Sequence, residues 1–330
     1  MNTSTHKPKI RNHILKKLFP TFALFALVSV PLVALAAVYG APITISNPTP
    51  AGIDLFGRSV SISGDNMLIS APGDDTGATD AGSAYLLDAT TGALLRTFNN
   101  PTPAVADTFG YSISISGDKV LIGAPLDSTG AYRTGSAYLF DATTGSLLQT
   151  FNNPAPGVED YFGGSVSISG DRILIGAQYD DTGATNTGSA YLFDVTTGAL
   201  LKTFNNPTPT EHDYFGNSVV ISGDQVLISA PRDDTGADPT GSAYLFDAVT
   251  GTLLQTFNNP TPADYDYFGM DAVSISGEKV LIGALSDDTG ASDAGSAYLF
   301  DATTGTLLQT FNNPTPVEFD LFGTAVSISG

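Results

Sequence analysis

A period constrains this chain more than any single motif. Phe-Gly recurs as Phe56-Gly57, Phe109-Gly110, Phe162-Gly163, Phe215-Gly216, Phe268-Gly269 and Phe322-Gly323, at intervals of 53, 53, 53, 53 and 54 residues. The extra residue lies near Met270-Asp271. A unit repeated this faithfully is one supersecondary element that cannot bury its apolar surface alone and must stack on its neighbours. Units start near 54, 107, 160, 213, 266 and 320; five are complete, and the sixth reaches Gly330 after one strand's length.

The second unit reads as four short strands: Tyr111–Ser116, Lys119–Gly123, Ser136–Asp141 and Leu147–Phe151. Gly117-Asp118 is a two-residue hairpin turn in which glycine supplies the positive φ, and Gly64-Asp65, Gly170-Asp171, Gly223-Asp224 and Gly277-Glu278 repeat it. Thr143-Thr144-Gly145 turns the chain into the fourth strand, and Asn152-Asn153-Pro154 ends it, since proline cannot donate to a ladder. Helices have no room: the 35 Gly and 20 Pro are spread so that no ten consecutive residues after Pro42 lack both, and each is costly in a helix interior. In Ser136-Ala137-Tyr138-Leu139-Phe140, Leu139 points to one face and Tyr138 and Phe140 to the other, so both faces must be covered. Four-stranded units stacked between copies of themselves are propeller blades. The expected fold is an all-β propeller of four-stranded antiparallel blades, with six or seven blades in a complete ring. Asn47-Pro48-Thr49-Pro50 matches the fourth-strand ending Asn100-Pro101-Thr102-Pro103. Residues 37–53 are therefore expected to act as an N-terminal strand or linker that completes a last blade with C-terminal strands.

Phe109-Gly110, then Gly123-Ala124-Pro125, then Gly135-Ser136-Ala137-Tyr138-Leu139-Phe140 resemble the FG-GAP repeat, over residues 54–330. The middle element varies as Ser70-Ala71-Pro72, Gly176-Ala177-Gln178, Ser229-Ala230-Pro231 and Gly283-Ala284-Leu285. The resemblance implies a propeller like that of integrin α-subunits and many bacterial surface proteins. It also implies an Asp-rich calcium loop between the first two strands, but here that loop is the Gly-Asp turn with one carboxylate. Phe140–Leu148 is similar to the turn of quinoprotein propellers, whose blades dock through Trp; this chain has none.

Charge is divided by position. Lys7, Lys9, Arg11, Lys16 and Lys17 precede Leu18–Ala37, which is uncharged and apolar, and Ala34-Leu35-Ala36 offers the small residues of a signal-peptidase site. Residues 1–36 are expected to be a cleaved secretory signal, or, if retained, a membrane anchor, since about 20 apolar residues suffice to span a bilayer. Either places the remainder outside the cytoplasm, secreted or at the cell surface. That remainder keeps eight of the 13 basic residues beside all 33 acidic ones, a balance of −25. Such a surface repels nucleic acid and anionic membranes and suits cations, basic proteins or uncharged surface ligands. There is no Cys, and of three His only His212 follows the leader. Disulfides and Cys-ligated metals are excluded, and His-dependent catalysis has almost no material.

The candidate site residues are the acidic positions between the second and third strands: Asp74, Asp75 and Asp80; Asp127; Asp180 and Asp181; Asp233, Asp234 and Asp238; Asp287, Asp288 and Asp293. Two readings stand. Carboxylates beside Thr and Gly could supply part of the six to eight oxygens calcium takes. Alternatively, Asp-Asp-Thr-Gly is a turn whose carboxylates accept backbone N–H groups, and Ser128 in the second unit fits a turn better than a metal site. Asp88, Asp141, Asp194, Asp247 and Asp301 are expected to hold the Thr-Thr-Gly turns, and Tyr85, Tyr138, Tyr191, Tyr244 and Tyr298 to sit in the blade core. His212 reads as a solvated loop residue. An active site breaks repeat symmetry, whereas these acidic positions recur unit after unit. The expectation is a non-catalytic scaffold for adhesion, or for contact with a protein or polysaccharide surface ligand through its variable loops. The alternatives are the propeller part of a larger exported hydrolase, and a structural envelope or matrix component.

Overall fold

In the computed structural model, residues 42–234 and 239–329 are described. The chain divides into two compact units, Met1–Thr44 and Ile45–Gly330. The expected leader lies outside the described residues, and every described strand belongs to the second unit.

Twenty strands form five separate four-stranded sheets, each an antiparallel meander in chain order. The first sheet comprises Val60–Ser63, Asn66–Ala71, Ser83–Asp88 and Leu94–Asn99, and the second Ser112–Ser116, Lys119–Ala124, Ser136–Asp141 and Leu147–Asn152. The third comprises Ser165–Ser169, Arg172–Ala177, Ser189–Asp194 and Leu200–Asn205, and the fourth Val219–Ser222, Gln225–Ala230, Ser242–Asp247 and Leu253–Asn258. The fifth comprises Phe268–Ser276, Lys279–Ala284, Ser296–Asp301 and Leu307–Asn312. No helix occurs among the described residues. The architecture is the expected propeller of stacked blades.

Local chemistry sets each element. Ser116 pairs with Lys119 across the first turn, where Gly117 has φ +57°, the left-handed first position of a tight hairpin. At the later turn Asp141 Oδ1 accepts from Thr143 N at 2.9 Å, Thr144 N at 2.7 Å and Thr144 Oγ1 at 3.0 Å, and Asp88, Asp194, Asp247 and Asp301 make the same three bonds. In the second unit three strand ends differ by one residue from expectation, since the first strand starts at Ser112, the second runs on to Ala124 and the fourth to Asn152. Tyr111 lies outside the first strand because its N–H closes a turn onto the Thr108 carbonyl at 3.0 Å. The extra residue of the fifth unit is absorbed by a register shift between Phe268 and Val273 in a nine-residue first strand.

The sheets are apolar on both sides, and each interior is shared. Leu174, Ala190, Leu192 and Phe204 of the third blade pack with Phe215, Val219, Ile221, Val226, Ile228, Tyr244 and Phe246 of the fourth. The opposite face of the third blade, with Ile173, Ile175, Tyr191 and Phe193, packs with Leu121, Leu139 and Phe151 of the second. Leu139 and the pair Tyr138 and Phe140 thus go to opposite clusters, as the pleat requires. The first and last faces lack this cover: Val60 and Ile62 are 53% and 62% exposed, and Phe311 is 37% exposed where Phe151 and Phe204 are 3%.

Polar bonds fix how neighbouring blades meet. The Phe-Gly phenylalanines 109, 162, 215 and 268 are fully buried, and each donates its N–H to the loop before the preceding blade's third strand (Phe162 to Thr134 O at 2.9 Å, Phe215 to Thr187 O at 2.8 Å). First strands are sheet edges with free N–H groups, and serines of the preceding blade accept them: Ile115 N to Ser61 Oγ and Ile221 N to Ser167 Oγ at 3.1 Å, Val219 N to Ser165 Oγ at 3.0 Å. In the sixth unit Ile328 N makes the same bond to Ser274 Oγ at 3.1 Å, although residues 325–329 form no strand because no second strand pairs with them. Residues 42–47 likewise form no strand. Asn47 and Thr49 clasp the first blade, with Asn47 Nδ2 on Asp54 Oδ2 at 2.6 Å and Thr49 Oγ1 on Asp74 Oδ2 at 3.0 Å.

The glycine before each third strand is required twice over. Gly188 has φ +85°, and a Cβ there would lie 2.0 Å from the Phe215 carbonyl oxygen of the next blade. Gly188→Ala is expected to cost about 3 kcal/mol from left-handed strain and overpacking together. Gly223→Ala, at φ +58° in open space, is expected to cost about 1 kcal/mol. Urea unfolding of the two variants checks the difference.

Candidate functional site

The acidic positions between the second and third strands hold their own loop and blade, the first position in every unit and the second in most. The first is buried: Asp74, Asp127, Asp180, Asp233 and Asp287 are 1–4% exposed. Each accepts the hydroxyl of the core tyrosine of its own blade, at 2.6 Å for Tyr85 to Asp74 and 2.5 Å for Tyr138 to Asp127, and likewise Tyr191, Tyr244 and Tyr298. Asp74, Asp127, Asp180 and Asp287 also take the N–H two residues on, that of Thr76, Thr129, Thr182 or Thr289, at 2.8 Å. Burial pushes the Tyr85 hydroxyl up to about 12, helped by the Asp74 carboxylate. Burial also raises Asp74, but bonds from Thr76, Tyr85 and Thr49 outweigh it and hold the carboxyl below its ordinary value.

The second position bonds five residues ahead: Asp75 Oδ1 accepts Asp80 N at 2.9 Å, Asp181 Oδ1 accepts Asn186 N at 2.8 Å and Asp288 Oδ1 accepts Asp293 N at 2.9 Å. Ser128 Oγ does the same for Arg133 N at 3.1 Å, which is why serine replaces aspartate there. The third position, Asp80, Arg133, Asn186 or Asp293, is left-handed with φ 50–53°, a conformation Asp and Asn tolerate. Asp234 is exposed in this loop, and Asp238 lies outside the described residues. Among the described residues no three His, Cys, Asp or Glu side chains gather as a metal would need. The turn between the first two strands does not fit calcium either. Its carboxylates are engaged singly, Asp118 with Lys119 at 2.9 Å and Asp224 with Arg172 at 2.5 Å.

A second acidic series is not among the residues singled out from the sequence. Asp54, Asp107, Asp160, Asp213 and Asp266, two residues before each Phe-Gly, are 0–6% exposed. Each accepts the amide of the Asn that ends the preceding unit, as Asn100 to Asp107 at 2.9 Å and Asn206 to Asp213 at 2.7 Å, and an N–H three residues before it. The signal was the period itself, which repeats this Asp in every unit. Burial, with neighbouring carboxylates adding to it, pushes Asp160 and Asp213 up to about 6 and Asp266 up to about 7. His212 is exposed, with Nδ1 3.1 Å from Asn186 Nδ2.

Where the acidic framework repeats, the side chains around the Phe-Gly ends do not. The residue before Phe-Gly is Leu55, Thr108, Tyr161, Tyr214 or Tyr267, left-handed every time with φ 52–59°. The residue after it is Arg58, Tyr111, Gly164, Asn217 or Met270. The second residue past the second strand is Gly73, Leu126, Tyr179, Arg232 or Ser286. These form a half-buried run from blade to blade: Tyr161 and Tyr179 have ring centroids 4.9 Å apart, Tyr179 and Tyr214 4.8 Å, and the Arg232 guanidinium lies 5.2 Å over Tyr214 and 5.7 Å over Tyr267. Arg58 lies 4.6 Å over Tyr111.

The FG-GAP repeat model matches residues 49–87, 103–140, 157–193, 209–246 and 261–300. The chain belongs to the FG-GAP repeat family. Each matched stretch holds the Phe-Gly, the first three strands and the Asp–Tyr pair, and stops before the exposed fourth strand. Among solved structures, the chain is similar to the computationally designed Ika8 protein at 16% identity and a TM-score of 0.50, over 82% of this chain. It spans 65% of that protein's length, and the likeness is one of fold alone. No curated protein sequence matches the chain.

The acidic residues of these FG-GAP repeats should respond to pH in two opposite ways. Asp160, Asp213 and Asp266 are raised in the folded chain, so the stability they contribute is complete below the ordinary carboxylate value and is lost as pH rises through about 6 to 7. The turn aspartates Asp141, Asp194, Asp247 and Asp301 are held low by bonds from their turns, so theirs is lost on acidification. Thermal midpoints measured from pH 3 to 9 should peak between about 4 and 6. Because the loop carboxylates already have protein donors, a chelator should leave the midpoint at pH 7 unchanged, and a fall on adding it would restore the calcium reading.

Proposed function

We propose that this chain is an exported, non-catalytic propeller scaffold that acts in adhesion or ligand contact through the variable Phe-Gly ends of its blades. One observation carries the reading: repeated acidic residues perform the same hydrogen-bonding task in every blade, while residues that differ between blades collect at one end as a half-buried aromatic and arginine surface. Chemistry on a substrate needs residues with unequal roles, and binding is served by variable side chains on a rigid frame. The basic, apolar leader and the −25 balance of the remainder support a place outside the cytoplasm, secreted or on the surface. They argue against nucleic acid as partner, and they leave a protein or polysaccharide surface ligand. The membrane enters only through the N-terminal segment, should that be retained.

Immobilised matrix proteins, cell-surface extracts and polysaccharides, probed with the full chain, test the proposal. At least one class should be retained, with no turnover of glycoside, ester or phosphate substrates. Retention of nothing, or hydrolysis of any substrate, would overturn it.

A further inference from the structure

We infer that the cavity between the second and third blades at their Phe-Gly ends is a saccharide site, holding a ring of a neutral polysaccharide against Tyr111, Tyr161 and Tyr179. This rests on the ligand-contact role proposed above and names its ligand class. The cavity measures about 150 Å³, room for one sugar ring, and Thr108, Leu126 and Gln178 complete much of its lining.

Its chemistry is selective. Tyr161 and Tyr179 stand edge to face at 80°, so two walls of a corner are aromatic and suit the C–H face of a pyranose. The polar groups are a matched donor and acceptor. Asn217 Nδ2 donates to Gln178 Oε1 at 2.5 Å, which turns the Gln178 amide so that its NH₂ can donate to a ligand. Thr108 Oγ1 donates to the Asp107 carbonyl at 2.7 Å, so it presents lone pairs to a ligand hydroxyl. No Asp, Glu, Lys or Arg lines the cavity. A cationic ligand would therefore lack a carboxylate, and it would meet Arg58 already over Tyr111 and Arg232 over Tyr214, which packs on Tyr179. An anionic ligand would approach a strongly acidic protein. An uncharged hydroxylated ring meets neither objection.

Two further observations favour a polymer held at this place. A second cavity, of about 230 Å³ and lined by Leu55, Arg58 and Asp80 among others, shares Thr108 and Tyr111 with the first, so a chain of sugars can pass from one to the other beside Tyr111, where the two charged side chains would meet sugar hydroxyls. Tyr111, Gln178 and Tyr179 each occupy a position that carries a different residue in the other units. Left-handed backbone at Tyr161 is common to all units and belongs to the fold, whereas the ring placed on it is particular to blades three to five.

Native affinity electrophoresis of the full chain in gels containing laminarin, dextran or hydroxyethylcellulose, with alginate as the anionic comparison, tests the site. At least one neutral polymer should retard the chain and alginate should not. Tyr179→Ala should weaken retardation about tenfold, and Tyr179→Phe should retain it. Gln178→Ala, which leaves the rings in place, should weaken it about fivefold. Tyr132→Ala, which removes a 56% exposed ring on another loop, should change nothing. Urea midpoints confirm that each variant is folded. Retardation by no neutral polymer, by alginate alone, or to the same extent in folded Tyr179→Ala and Gln178→Ala would overturn the inference. If matrix or cell-surface proteins are still retained in that case, the scaffold reading survives without it; if nothing is retained, both fall.

Discussion

A four-stranded sheet that is apolar on both faces needs neighbouring sheets to cover it, and most of the recurring bonds in this chain serve that stacking. One blade interior is made from two units, as when Leu174, Leu192 and Phe204 meet Phe215, Ile228 and Phe246. A single unit therefore has no complete core, and repetition is a thermodynamic necessity. Burying a phenylalanine or leucine is worth about 1.5–3 kcal/mol relative to leaving it exposed. The first and last faces forgo part of that gain, with Val60, Ile62 and Phe311 partly in water.

Hydrophobic contact is not directional, so the angle between blades needs polar restraints. Two recur at every junction, the Phe-Gly N–H on the preceding loop and the Asn–Asp clasp across the linker, and a third, the serine hydroxyls that accept the next blade's edge N–H groups, gives way between the fourth and fifth blades, where Val220 stands in the serine series and Asn217 Oδ1 accepts Asp271 N instead. Each satisfies a group that would otherwise be buried or left at an open sheet edge. The acidic character of the chain stems in part from this. Asp is the repeated acceptor at the clasp, at the tyrosine and at the Thr-Thr-Gly turn.

The same rigidity explains why variation is confined. A residue in the shared interior is constrained by two blades, and a residue in a clasp by its partner. The backbone beside Phe-Gly keeps one conformation in every unit, so Leu55, Thr108, Tyr161, Tyr214 and Tyr267 can differ while keeping φ near +55°. A surface of unlike residues on a frame of like ones is the arrangement that recognition needs.

Much was determined by the sequence by itself. The period, the strand alternation of Ser-Ala-Tyr-Leu-Phe-Asp, the Gly-Asp and Thr-Thr-Gly turns and the turn role of Ser128 are consequences of local geometry, and local geometry is written in adjacent residues. Two things only the tertiary structure decided. Asp107 and Asp127 lie 20 positions apart in the chain, and burial, with the Asp127 carboxylate adding to it, raises Asp107. The aromatic run Tyr161, Tyr179 and Tyr214 joins residues of two units, and each of these residues viewed alone was an ordinary loop tyrosine. Which side chains meet across a blade junction depends on how the sheets are set against one another, and that angle is fixed by bonds between residues far apart in the chain, such as Phe162 N to Thr134 O and Val219 N to Ser165 Oγ.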